Sequence, residues 1–293
     1  MASSLKYTLH QYGAHELQRV GVWDLDIADK AKYWIIFIHG GAWRDPRVTH
    51  EAFAPSISRI LDASTSSIAA FASIDYRLSP HPDFPQDPAE TPETQLRVAR
   101  HPDHLDDVRA ALVFLQREFA LGARYVLLGH SAGACLAYQF LATAPLSSTS
   151  RADDEGRVGD GETPHLPAAV LGIEGIYDMT GLNARVGGSY SGFLSAAFGA
   201  PGDWDRAAPM KFAGRYRDRF GGLAALAHSP DDELVDMPET EGMAERLRGD
   251  VGEGSLLVWK DLQGSHEGIV EDGSGVARLV LRILAILEDR AGS

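Results

Sequence analysis

This chain predicts an α/β fold, a mostly parallel central sheet with helices on both faces, and three observations carry that reading. Six short runs are apolar nearly throughout instead of alternating, the pattern of strands buried on both faces. Amphipathic helical stretches lie between them, and a strand–helix–strand rhythm implies right-handed crossovers within one open sheet. With 293 residues, 44% of them hydrophobic and 9% aromatic, the chain has enough apolar surface for a large core. No internal repeat or linker interrupts the rhythm, so a single domain over 1–293 is expected.

In chain order, "ELQRVGVWDLDI" (16–27) alternates and reads as an antiparallel edge strand. "KYWIIFIHG" (32–40) and "SIAAFASIDYR" (67–77) read as buried parallel strands. "SPHPDFPQDPAETPETQ" (79–95) is too rich in proline for anything but an extended loop. In "HLDDVRAALVFLQREFA", Leu105, Val108, Leu112, Leu115 and Phe119 recur at helical spacing, with Asp103 after Pro102 placed to cap the start. "RYVLLGH" (124–130) is the next strand and leads into the helical run "SAGACLAYQFLATA". The polar, glycine-rich stretch at 147–164 has little to bury and is expected to be a mobile surface insertion. Strands follow at "AAVLGIEG" (168–175), "LAALAHS" (223–229) and "SLLVWKDL" (255–262), with a small cap expected around 180–215 between the first two. Val276, Val280, Ile283 and Leu287 mark a closing amphipathic helix.

The net charge of −14 sets aside nucleic acid and anionic membrane as partners. One cysteine, Cys135, excludes a disulfide within the chain, and its place one turn after Ser131 reads as small core packing. The longest apolar run, Tyr33 to Ile38, is too short to cross a bilayer, and the N-terminus lacks the apolar stretch of a signal peptide. A soluble, cytoplasmic protein is expected.

Residues 129–133 read "GHSAG", a G-x-S-x-G pattern set between a strand and a helix. A serine at such a turn is held in strained geometry with its hydroxyl projecting over the sheet edge, and glycines flank it because a Cβ would collide with neighbouring backbone. A serine hydroxyl needs a base. The chain order serine, acid, histidine is that of the α/β-hydrolases, and both partners should follow late strands. "HSPDDELV" supplies Asp232, with Asp231 as the alternative, and "GSHEGIV" supplies His266. Among rival histidines, His101 and His104 lie upstream of Ser131, His39 sits in the wrong element, His228 is expected to pack at a strand end, and His130 is expected to point away from the elbow. "HGGAWRD" (39–45) follows a strand, and its bare backbone suits an oxyanion site. The donors are assigned to the amides of Gly41, Ala42 and Ala132, with Gly40 shaping the turn.

Together "HGGAWRDP", "DYRLSPHP", "GHSAGA", "SPDDELV" and "GSHEGIV" resemble the fungal type of kynurenine formamidase (arylformamidase), an α/β-hydrolase branch akin to the hormone-sensitive-lipase-like esterases. The likeness runs from about Tyr33 to the last helix, and the family's H-G-G-x-W motif falls on His39, Gly40, Gly41, Ala42 and Trp43. The resemblance implies hydrolysis of N-formyl-L-kynurenine to L-kynurenine and formate in tryptophan degradation and NAD synthesis. It also implies Ser131, Asp232 and His266 as the triad, no metal or other cofactor, and a homodimer. An aromatic leaving group suits a wall built from Trp43, with Tyr190 and Phe193 closing from the cap. Arg44 or Arg77 is placed to meet a substrate carboxylate. Two other readings use the same residues: a broad-specificity carboxylesterase, and a non-catalytic binding module on this scaffold.

Overall fold

The computed structural model describes residues 5–63, 66–144, 163–252 and 254–292. All but the last two residues of the insertion expected at 147–164 lie outside that range.

Among the described residues, eight strands form one sheet: β1 (Lys6–Gln11), β2 (Arg19–Asp24), β3 (Tyr33–Ile38), β4 (Ile68–Ile74), β5 (Tyr125–His130), β6 (Ala169–Ile173), β7 (Leu223–Ala227) and β8 (Leu256–Trp259). Their spatial order is β1-β2-β4-β3-β5-β6-β7-β8. Only β2 runs against the others. The expected antiparallel edge is therefore real in direction but not at the edge, because β1 pairs outside it.

The unbroken apolar runs are explained by the layers. In β3, Trp34, Ile36 and Ile38 face one core while Tyr33, Ile35 and Phe37 face the other. The first core is closed by α2 (Asp103–Phe119), α3 (Ala132–Ala142) and α7 (Met237–Arg248), the second by α1 (Ala54–Ala63) and α9 (Ser274–Gly292). The stripe of Val276, Val280, Ile283 and Leu287 is buried as α9 crosses the sheet. Asp103 does not cap α2. Pro102 holds the cap position, and Asp103 instead accepts the Arg100 amide at 2.9 Å, which fixes the turn entering the helix. Three short helices, α4 (Met179–Arg185), α5 (Ser191–Phe198) and α6 (Pro201–Ala207), are inserted between β6 and β7 where the cap is expected, and α8 (Gly268–Asp272) precedes α9.

The register lines up the carboxyl ends. Ile38 lies opposite Gly129, His130 opposite Ile173, Ile173 opposite Ala227, and Ala227 opposite Trp259. The loops after β3, β5, β6, β7 and β8 thus leave one rim. Strand order reverses between β3 and β5, where open α/β sheets open a crevice for ligands.

Candidate active site

Ser131 joins β5 to α3 with φ 55° and ψ −119°, a conformation that side chains rarely adopt and that costs about 1–3 kcal/mol. Neighbouring glycines permit it. A Cβ at Gly129 would lie 2.2 Å from the Gly133 carbonyl oxygen, and one at Gly133 would lie 2.1 Å from that of Ile38. The spacing of the motif is therefore a steric requirement of packing a helix start between two strands. The Ser131 amide donates to the Ile173 carbonyl at 2.9 Å, which ties the turn to β6.

The loop after β3 is held just as tightly. A Cβ on Gly40 would come within 3.0 Å of the Ser131 Cβ and the His130 ring. The buried Tyr76 hydroxyl donates to the Gly40 carbonyl at 3.0 Å and lies 3.2 Å from that of His39, and its ring stacks on His39 at 4.5 Å. In a planar trans peptide the N–H points away from the C=O. Fixing the Gly40 carbonyl therefore fixes the Gly41 N–H on the opposite side. The Gly41 carbonyl accepts the amides of Arg44 and Asp45, which orients the Ala42 N–H in the same manner. At the elbow the Ser131 carbonyl accepts the amides of Ala134 and Cys135, and Ala132 is left as the first free N–H of α3. Among the described residues no acceptor takes the amides of Gly41, Ala42 or Ala132. Gly41 (φ 85°), Ala42 (φ 49°) and Trp43 (φ 59°) all lie in the left-handed region, so the loop turns on a continuous strained stretch.

On the far side of the rim, His266 Nδ1 lies 2.8 Å from Asp232 Oδ2. The carboxylate also accepts the amides of Leu234 at 2.9 Å and Val235 at 2.8 Å through its other oxygen, three donors that suit a buried anion. The proton thus belongs on Nδ1, and the Nε2 lone pair is left for chemistry. Asp231 is exposed, and its amide donates to Ser229 Oγ, so Asp232 is the partner of the ring. His228 packs at the strand end between Thr240 Oγ1 and the Val235 carbonyl. Ser131 and His266 line one cavity of about 300 Å³ with Gly41, Ala42, Tyr190, Phe193 and Arg44. No hydrogen bond joins the Ser131 hydroxyl to His266 among the described residues.

Several expected positions differ. His130 does not point away: its ring packs on His266 with centroids 4.6 Å apart, and its Nε2 donates to the His266 carbonyl at 3.1 Å. Burial holds this imidazole well below its usual range, hence neutral. Trp43 is fully buried and does not form the cavity wall. It lies behind the wall, edge-on to Phe198 at 4.8 Å and tilted against Phe193 at 6.2 Å, because the positive φ of the loop turns the indole into the core. Arg77 is bound bidentately by Asp107 at 2.8–3.1 Å and is not available to a ligand. Arg44 lies over the Phe193 ring at 5.5 Å and makes no ion pair among the described residues. The Tyr190 hydroxyl donates to the Leu234 carbonyl at 2.7 Å and latches the cap to the loop after β7.

One buried acid had no place in the sequence reading. Glu174 follows β6 and is fully buried, with Oε2 lying 3.4 Å from His130 Nε2 and 3.6 Å from His266 Nδ1. The signal was present as a lone carboxylate closing the apolar run "AVLGIEG". The three side chains put possible metal ligands within 4.8 Å of one another. Both ring nitrogens, however, already carry hydrogens, given to the His266 carbonyl and to Asp232, so the cluster presents N–H groups instead of lone pairs. No helix of the described residues is long and apolar enough to cross a membrane.

Strand order, elbow and aligned rim define an α/β-hydrolase. Solved esterases share this fold: esterase B from Lactobacillus rhamnosis (TM-score 0.68, 13% identity, covering 98% of this chain and 88% of that one) and a truncated carbohydrate esterase from gut microbiota (TM-score 0.66, 18% identity, 96% and 98%). No protein-family profile matches the chain. Curated relatives are more specific. The "Kynurenine formamidase-like hydrolase fscH" of Fusarium equiseti is 37% identical over 268 residues, covering 88% of this chain and 84% of the relative. "Kynurenine formamidase avaC" of Aspergillus versicolor is 35% identical, covering 84% and 86%. The kynurenine formamidase of Meyerozyma guilliermondii is 32% identical, covering 93% and 91%. The chain belongs to the kynurenine formamidase family of hydrolases.

Proposed function

We propose that this protein hydrolyses N-formyl-L-kynurenine to L-kynurenine and formate by acyl transfer through Ser131, His266 and Asp232. The observation that carries the reading is a single cavity lined by Ser131, His266, Gly41 and Ala42, with Asp232 on the far nitrogen of the histidine.

His266 Nε2 takes the proton of Ser131 Oγ as the hydroxyl attacks the formyl carbon, a contact that tightens when substrate binds. The oxyanion rests on the amides of Gly41, Ala42 and Ala132, each worth about 2.7–4 kcal/mol to the transition state. The imidazolium, steadied by Asp232, protonates the departing aniline nitrogen and the C–N bond breaks. Water then gives a proton to the same nitrogen as it attacks the formyl-serine, and the imidazolium returns that proton to Ser131 Oγ as the ester bond breaks and formate leaves.

The cavity suits an arylamine that carries an amino acid. Phe193 and Tyr190, whose rings lie 5.0 Å apart and tilted by 48°, offer an aromatic wall for the ring. Arg44, which makes no ion pair among the described residues, and Glu267 offer opposite charges to a zwitterion. Family resemblance further supports a homodimer working in the cytoplasm, and light scattering on the purified protein tests the assembly.

The deciding experiment follows the loss of N-formylkynurenine absorbance with wild-type protein and Ser131→Ala. The variant is expected to lose at least about 10⁴-fold in kcat with its fold intact. Appreciable residual turnover in a folded variant rules out the nucleophile. A kcat/KM for p-nitrophenyl acetate above that for N-formylkynurenine would instead make the protein an esterase.

A further inference from the structure

We propose that Glu174 is a second acidic partner of the His266 imidazole, a positioning residue that shares the Nδ1–H with Asp232 and adds its charge to the ring when it ionises. The inference rests on His266 acting as the base.

The geometry is difficult to explain otherwise. Glu174 sits at the carboxyl end of β6, its amide bound to the Ala227 carbonyl at 2.9 Å, with φ 51° where a non-glycine residue is strained. Its side chain is wholly buried, and one oxygen accepts the Ser229 amide at 3.2 Å. The other has no hydrogen-bond partner among the described residues. A buried carboxyl left half-satisfied is destabilising, and an aliphatic side chain would fill the space at lower cost. What the orphan oxygen does have is position: 3.6 Å from His266 Nδ1 and 3.4 Å from the Nε2–H of His130, the ring packed on His266.

Asp232 and Glu174 thus flank one nitrogen in unlike settings. Asp232 accepts two backbone amides and the imidazole N–H, and is built to carry charge. Glu174 has one amide. The charged or titratable groups facing it are His130 after β5, Asp232 and Glu233 after β7, and His266 and Glu267 after β8. Burial first, and then the negative charge of Asp232, push its pKa up to about 9. Glu174 is therefore a neutral acid near pH 7. Two carboxyls driven apart in this way take different roles. Ionisation of Glu174 places a second negative charge beside Nδ1 and makes Nε2 a stronger base. No atom is transferred between Glu174 and substrate; its proton exchanges with solvent.

The test compares kcat–pH profiles from pH 6 to 10.5 for wild type, Glu174→Gln, Asp232→Asn and the double variant, all on N-formylkynurenine. Wild-type kcat should rise about two- to fivefold through a second inflection near pH 9, with KM within about twofold; Glu174→Gln should lack that rise. Asp232→Asn should lose about 10⁴-fold at pH 7 and recover with rising pH as Glu174 takes over the Nδ1–H, through an inflection below that of wild type because the Asp232 charge that helps hold the Glu174 carboxyl up is gone. The double variant should stay flat. Superimposable profiles for the single and double Asp232 variants overturn the proposal. Should the variants fail to fold, the wild-type Nδ1–H proton resonance of His266 serves instead: an inflection near pH 9 supports the assignment, and a featureless titration there rejects it. If Asp232→Asn or Ser131→Ala keeps wild-type kcat, the triad reading fails, a result separable from failure of Glu174 alone.

Discussion

At the rim, Gly129 and Gly133 leave no room for one more carbon and Gly40 very little, whereas in the cap Gly187, Gly188 and Gly192 have nothing within 4 Å of where one would sit. The same residue type therefore answers different needs in the two regions. At the rim, absence of a side chain lets three backbone segments meet closely enough for Ser131, the Gly41–Ala42 amides and His266 to share a cavity. In the cap, space is left over, and what faces the cavity is side chain: Tyr190, Phe193 and, from beneath, Arg44. Backbone geometry sets what the site can do to a carbonyl, and removable side chains set which carbonyl it meets.

The sharpest way to break this contrast is to add the missing carbon on each side. Gly133→Ala places a Cβ against the Ile38 carbonyl, with no flexible side chain to move aside. We expect the loss of soluble, active protein, or a fall in thermal midpoint of 10 °C or more, on the order of the change that about 4 kcal/mol produces in a domain of this size. Gly192→Ala, in α5 with open space around it, is the matched control: turnover unchanged and helix propensity improved by about 1 kcal/mol. Differential scanning calorimetry and kcat on both variants decide it. Equal effects would show that the rim is not sterically closed.

The contrast also explains what could be read from the sequence. The core strands were legible because burial on both faces leaves an unbroken apolar run, and the elbow because strand, glycine, serine, glycine and helix are contiguous. β1 was not, since Lys6–Gln11 alternates half-buried with exposed residues and leaves Tyr7 and Leu9 open to solvent. Trp43 was legible as a motif residue but not as a buried one, because its direction depends on a backbone twist that no residue type demands. Glu174 and His130 were hidden for a third reason. They reach His266 only because His130 pairs with Ile173 across β5 and β6, so two strand ends and a distant loop converge. Register of that kind is tertiary and leaves one trace in the sequence, an acid at the end of an apolar run.

A milder test of the rim targets the hydroxyl that holds the proposed oxyanion loop. Tyr76→Phe removes the donor to the Gly40 and His39 carbonyls without changing the packing of the ring. The Gly40 carbonyl keeps the His39 Nδ1–H at 3.0 Å while the His39 carbonyl loses its donor, which should lower stability by about 1–3 kcal/mol in urea unfolding. With one donor in place of two, the Gly40–Gly41 peptide aims its N–H less firmly, so kcat should fall by up to about tenfold with KM nearly unchanged. A fall confined to stability would show that the loop keeps its aim without Tyr76.

The smallest effect is expected where the cap meets the substrate's polar end. Arg44→Met keeps an apolar stem but removes the guanidinium that lies over Phe193, and with it the charge. If Arg44 receives a carboxylate, its loss forfeits a charge-assisted hydrogen bond of about 1.5 kcal/mol, the lower end of the range because the side chain is only half-buried. KM for N-formylkynurenine should then rise by about tenfold or somewhat more, while kcat holds within about twofold because the acyl-transfer geometry is untouched. Formanilide, which has the same scissile bond and no carboxylate, should be hydrolysed equally well by variant and wild type. An equal rise in KM for both compounds would mean that Arg44 shapes the aromatic wall instead of reading charge, and side-chain recognition in the cap would then rest on Phe193 and Tyr190 alone.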